Sequence, residues 1–138
     1  MRLILSVALG MVLAGVILAP LLAESSSLAS LPLYAAFSWI CHQRPQRTWT
    51  LGGFPLAVCV RCLGLYTGAL AGALAGWRFH RGPFLASMAV LGAEWLVEAA
   101  GGAGPPALVR FATGLAAGFL LVPAFWGNIE RPPSVVHG

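Results

Sequence analysis

From Leu3 to Ala23 the chain is apolar and uncharged, with Arg2 before the run and Glu24 after it. That length suits one membrane crossing, which takes about 20 residues. A cleaved signal peptide is the alternative, with Arg2 as its positive start and Ala23 before the cut. The length of the run, and Leu21 at a position that wants a small residue, favour a span. Ser25 to Ser30 is a short polar linker. Leu31 to Ile40 is too short to cross, but Tyr34, Phe37 and Trp39 suit a helix lying at the interface. Three more apolar runs follow, Leu56 to Trp77, Phe84 to Ala100 and Ala107 to Trp126. The charged turn Arg78-Phe79-His80-Arg81 separates the first two. The hairpin Gly101-Gly102-Ala103-Gly104-Pro105-Pro106 breaks the chain before the last, because proline cannot continue a helical hydrogen-bond ladder. The pattern predicts an all-α integral membrane protein, a four-helix transmembrane bundle in a single domain over 1–138. Its spans fall at 3–23, 56–77, 84–100 and 107–126, with a short interfacial helix in an outer loop at 24–58. The polar tail from Gly127 reads as a free end.

Composition strengthens the membrane reading. Apolar residues make up 59% of the 138 and charged residues only 9%, against about 25% charged in a soluble domain. No separate soluble domain fits beside four spans. All eight basic residues are arginines, scattered singly or in pairs between apolar runs, which argues against a nucleic-acid surface. They act as topology markers instead. Placing Arg2, Arg78, Arg81 and Arg131 in the cytoplasm follows the positive-inside tendency and leaves Arg44, Arg47 and Arg61 outside. Both termini are then cytoplasmic, as are His80 and His137.

Within the second run Gly64, Gly68, Gly72 and Gly76 recur every fourth residue with alanines between them. A ridge of small side chains lets another helix approach closely, either within the bundle or in self-association. Gly114 and Gly118 repeat the spacing in the fourth run and make it the natural partner. Cys59, Cys62 and Tyr66 share a helical face away from Gly64.

All three cysteines and one of three histidines form the pattern C-H-x16-C-x2-C at Cys41, His42, Cys59 and Cys62. A C-x2-C turn at a helix start can grip one metal ion, because the helix N-terminus favours thiolate charge. Zinc is the default ion. Cys41 and His42 would complete four ligands, although adjacent residues point apart in most backbone conformations. Three thiolates with an open fourth position are the natural variant, and an open position is what a catalytic metal needs. A disulfide with one spare thiol, or thiol redox chemistry with a quinone, are the competing readings; an odd cysteine count weakens both. Leu63 stands where a c-type haem attachment needs histidine.

Arg44, Arg47 and Arg61 would stabilise thiolates and attract a phosphate or carboxylate; contact with anionic lipid headgroups is the plainer role. Glu94 and Glu98 lie four apart on one face of the third run, where a charge near the bilayer centre costs about 2.5–3.5 kcal/mol. Glu98 is three residues before the Gly101 hairpin and Arg110 four after it, so the two reach similar depth and suit an ion pair. Glu94 is unpaired in this scheme, hence protonated or facing a polar cavity. Glu94, Glu98 and Arg110 are the catalytic candidates, with a carboxylate facing the metal as general base the sharper idea.

The run Cys41-His42-Gln43-Arg44-Pro45-x-Arg47, then Gly53, then Val58-Cys59-x-Arg61-Cys62-x-Gly64-x-Tyr66-x-Gly68, and finally Arg110-x-x-Thr113-Gly114, resembles the small prokaryotic membrane proteins grouped as domain of unknown function 2085. The resemblance covers about Tyr34 to Gly118 and implies a multi-pass protein of the prokaryotic inner membrane. One departure is Glu98-Ala99, where the family pattern is associated with Asp-Gly; the carboxylate is kept. Three functions are consistent with these residues. One is a metal-dependent membrane enzyme or small-molecule binder, which would show a cavity linking the cysteines to Glu94 or Glu98. Another is a quinone-linked thiol-disulfide oxidoreductase. The third is an accessory subunit of a larger membrane complex, with its Gly ridge buried against a partner.

Overall fold

The computed structural model describes residues 2–25, 28–76 and 80–129, with side chains as far as 124. Linker residues 26–27, turn residues 77–79 with Arg78, and the tail with Arg131 and His137 lie outside the described residues. Helix α1 covers Arg2–Glu24 and α2 Ser30–Ser38; a 3-10 turn follows at Pro45–Arg47. Strands β1 (Thr50–Leu51) and β2 (Phe54–Pro55) precede helices α3 (Val60–Ala75), α4 (Arg81–Ala99) and α5 (Ala107–Ile129). The chain is mostly helical. Among the described residues two helices, α1 and the Ala107–Ala124 part of α5, are long and apolar enough to cross a membrane. The third apolar helix, α3, has 16 residues and so extends about 24 Å, short of the ~30 Å hydrocarbon core. α4 carries Glu94 and Glu98 in its last turns.

Two details differ from the sequence pattern. The loop between α2 and α3 is not wholly irregular, because β1 and β2 pair antiparallel, Thr50 opposite Pro55 and Leu51 opposite Phe54. Gly52 and Gly53 turn the corner with φ of 60° and 83°, the left-handed conformation a two-residue hairpin requires. The second apolar run also becomes helical four residues later than its first apolar residue. The Leu56 N–H is taken by the Trp49 carbonyl at 2.8 Å, the chain bends at Ala57 and Val58, and Cys59 is the extended N-cap of α3 (φ −68°, ψ 160°).

The tightest packing joins α3 to α5. A methyl on Gly64, Gly68 or Gly72 would run into the backbone carbonyl oxygen of Phe111, Leu115 or Phe119; one on Gly114 or Gly118 would run into that of Arg61 or Leu65. The helix backbones are therefore in direct contact, and the small-residue ridge is consumed within the chain. Gly76 has a different task from the rest of the ridge. It ends α3 in the left-handed conformation (φ 61°), beside the Arg2 guanidinium. α1 packs on α3, α2 on α1 and α4 on α5. Val16 and Ala19 of α1, Phe37 of α2, and Cys41, Ala57 and Val58 form one buried cluster, which supports the cysteine end of the molecule from below.

Candidate functional site

Three short segments converge on that cluster. Cys41 leaves the end of α2, its N–H bonded to the Phe37 carbonyl at 2.9 Å. Cys59 caps α3 and Cys62 sits in its first turn. The three sulfurs lie within 4.8 Å of one another and none is in a disulfide. Tetrahedral zinc with bonds of about 2.3 Å puts sulfurs about 3.8 Å apart, so a contraction of under about 1 Å would close the set on an ion. Three thiols so placed can hold a metal. The Cys59 backbone N–H donates to the Cys41 sulfur at 3.1 Å. Hydrogen bonds from the Cys59 and Cys62 thiols, outweighing burial, hold the Cys41 thiol far below its usual range. Thiolate is the form a metal binds.

Gln43 braces this arrangement. Its side-chain amide donates to the Tyr34 and Ala57 carbonyls, both at 2.8 Å, tying α2 to the bend before Cys59. The Tyr34 hydroxyl donates to the Pro55 carbonyl and closes the same joint. Gln43 itself holds φ at 44°, a left-handed conformation that costs a non-glycine residue about 1–2 kcal/mol. The two amide bonds offset that strain.

Beside the thiols lies a network of carboxylates and guanidiniums. Glu98, 6% exposed, receives Arg47 on one oxygen at 2.5 Å, and Arg110 (3.1 Å) and Arg61 (3.3 Å) on the other. Glu94 receives Arg61 at 2.8 Å and the Thr113 hydroxyl at 3.3 Å. The expected depth match between Glu98 and Arg110 is present. Glu94, expected to be unpaired, is not: Arg61 lies in the first turn of α3, and its side chain reaches α4. Arg110 is held in turn by its Nε, which donates to the Pro105 carbonyl at 2.8 Å. Trp49 packs its ring on Phe111, centroids 5.3 Å apart, and anchors the loop that delivers Arg47 to α5.

A cavity of about 430 Å³ joins the two groups. All three cysteines contribute to its wall, as do His42, Gln43, Arg44, Arg47, Arg61 and Glu98; Ile40, Trp95 and Ala99 give it an apolar side. His42 is exposed and stands outside the group of thiols close enough to share an ion. Glu94 and Arg110 adjoin the cavity only through Arg61 and Glu98. Among the roles that sequence reasoning missed are the Gln43 brace and the Thr113 hydroxyl on Glu94, although both residues stand in the motif quoted above.

A family model described as a predicted membrane protein (DUF2085) matches residues 41–123, from the first thiol of the triad through the α3 and α5 packing. An uncharacterized protein of Methanocaldococcus jannaschii is 56% identical over 43 residues, 31% of this chain and 28% of its own length. Another, from Methanothermobacter thermautotrophicus, is 48% identical over 33 residues, 24% of this chain and 30% of its own. The matched segment is thus less than a third of either relative. No solved structure matches the chain.

Proposed function

The chain belongs to the DUF2085 family of predicted membrane proteins, and on that premise we propose that it binds one metal ion, zinc by default, and uses it on a small molecule in the adjoining cavity. Cys41, Cys59 and Cys62 are the ligands, and a three-thiolate set leaves a fourth position for His42 or for the small molecule. Zinc there would supply a Lewis acid. The single observation that carries this reading is the cavity, whose wall holds the three thiols and Glu98 together. A purely structural site would have no need of that opening. In the same proposal α1, α3, α4 and α5 cross the prokaryotic inner membrane as a bundle, with both termini cytoplasmic and the thiols at the outer interface. The short α3 fits this, since its N-cap can then sit just beneath the headgroups.

The test is metal analysis of detergent-purified protein with thiol titration. About one zinc per chain and three protected thiols are expected; a metal-free protein with an oxidised cysteine pair would overturn the reading in favour of thiol redox chemistry. Serine at Cys41, Cys59 or Cys62 should each abolish stoichiometric zinc. His42→Ala separates the two ligand sets, because retained zinc identifies the three-thiolate site and lost zinc the four-ligand one.

A further inference from the structure

The cavity has more positive charge on its wall than the protein's own carboxylates answer. Arg47 and Arg61 share Glu98 and Glu94 with Arg110. Arg44, the remaining arginine of the lining, has no carboxylate partner among the described residues and is exposed. Its backbone carbonyl caps the 3-10 turn by accepting the Arg47 N–H at 2.9 Å and the Thr48 hydroxyl at 2.8 Å, so the base of the side chain is held at the cavity rim. Deeper in, the Arg61 Nε is buried and has no hydrogen-bond partner among the described residues. An unmet buried donor on a cation is costly unless something accepts from it. Four guanidiniums thus stand against two carboxylates beside the thiol triad. A zinc ion with three thiolates carries one net negative charge, which still leaves the region positive.

We propose that the ligand of this cavity carries a phosphate group, held by Arg44 and Arg47 beside the thiol triad. This deepens the metal reading and rests on it for the neighbouring ion. A tetrahedral oxyanion matches planar guanidinium donors, and several arginines around one cavity are the usual means of recognising it. Ile40, Trp95 and Ala99 add apolar surface to the same cavity, and Trp95 of α4 is 61% exposed. That surface suits either the acyl-bearing part of a lipid phosphate or the organic part of a soluble one.

Zinc-loaded protein in detergent, titrated calorimetrically with inorganic phosphate and with dioctanoyl phosphatidate, tests the proposal; dioctanoylglycerol is the uncharged control. Saturable binding of phosphatidate alone assigns the group to a lipid headgroup, and binding of inorganic phosphate as well assigns it to free phosphate. In either case Arg44→Gln should weaken binding about tenfold or more while leaving zinc content and thermal stability unchanged, because Arg44 has no carboxylate to lose. Absence of binding by both probes, equal binding of dioctanoylglycerol, or unchanged affinity in Arg44→Gln would overturn it. Protein that carries no zinc but binds phosphate through Arg44 would remove the metal reading and leave the phosphate site standing.

Discussion

Glu98→Gln is expected to destabilise the protein by about 3–5 kcal/mol, the cost of removing one partner from a buried ion network. The amide is nearly isosteric, so the change is electrostatic. Arg47 and Arg110 lose their charged acceptor at once and Arg61 loses the weaker of its two, while Arg110 keeps the Pro105 carbonyl. Single arginine variants should cost less, because Glu98 keeps two partners in each. Arg47→Gln should cost least, under about 1 kcal/mol, since that side chain is 35% exposed. The Glu98→Gln, Arg110→Gln double variant should fall well short of additivity, as residues sharing one network do. Thermal unfolding in detergent gives all five values. A midpoint for Glu98→Gln within about 1 °C of the unmodified protein would refute the network as a stabilising element.

Gly68→Val is the other variant with a large expected effect, a loss of about 3 kcal/mol or more, at the upper end of overpacking costs. The added side chain meets the Leu115 carbonyl oxygen, with the Leu115 carbonyl carbon and Cα also inside 3.0 Å of the new Cβ. These are backbone atoms of a helix and have no rotamer to change. Relief requires α3 and α5 to move apart, and that also loosens Gly64, Gly72, Gly114 and Gly118. Gly92→Ala is the control: it lies on α4 with no atom of the described residues within 4 Å of the new methyl. Equal unfolding midpoints for Gly68→Val and Gly92→Ala would contradict the close α3 and α5 approach.

Periodicity and depth carried most of what was readable in advance. The four-residue glycine spacing identified both faces of the α3 and α5 contact, because close backbone packing has few other solutions. Counting from the Gly101 hairpin paired Glu98 with Arg110, because antiparallel neighbours joined by a short turn keep their depth in register. The Arg61 to Glu94 bond was beyond that arithmetic. It depends on how α3 is rotated relative to α4, and the two are not joined by the hairpin that sets the register. The late start of α3 was also missed, because Leu56, Ala57 and Val58 are as apolar as the helix they precede; the Trp49 carbonyl, the Gln43 amide and the buried cluster hold them out of it. The Gly52-Gly53 pair between Leu51 and Phe54 was the legible sign of a hairpin, since two glycines between apolar residues supply the required positive φ. For the site itself, spacing brought Cys59 and Cys62 together, whereas the approach of Cys41 depended on Gln43.

Because that Gln43 crosslink is made entirely of protein atoms, the separation of Cys41 from Cys59 does not depend on an ion to set it. The conformational entropy of gathering the donors is met during folding, and metal capture needs little further ordering. Such a socket should exchange its ion without local unfolding, its thiols closing by under about 1 Å on the ion that enters. Gln43→Ala would turn the same three thiols into a compliant clasp, with slower capture of zinc.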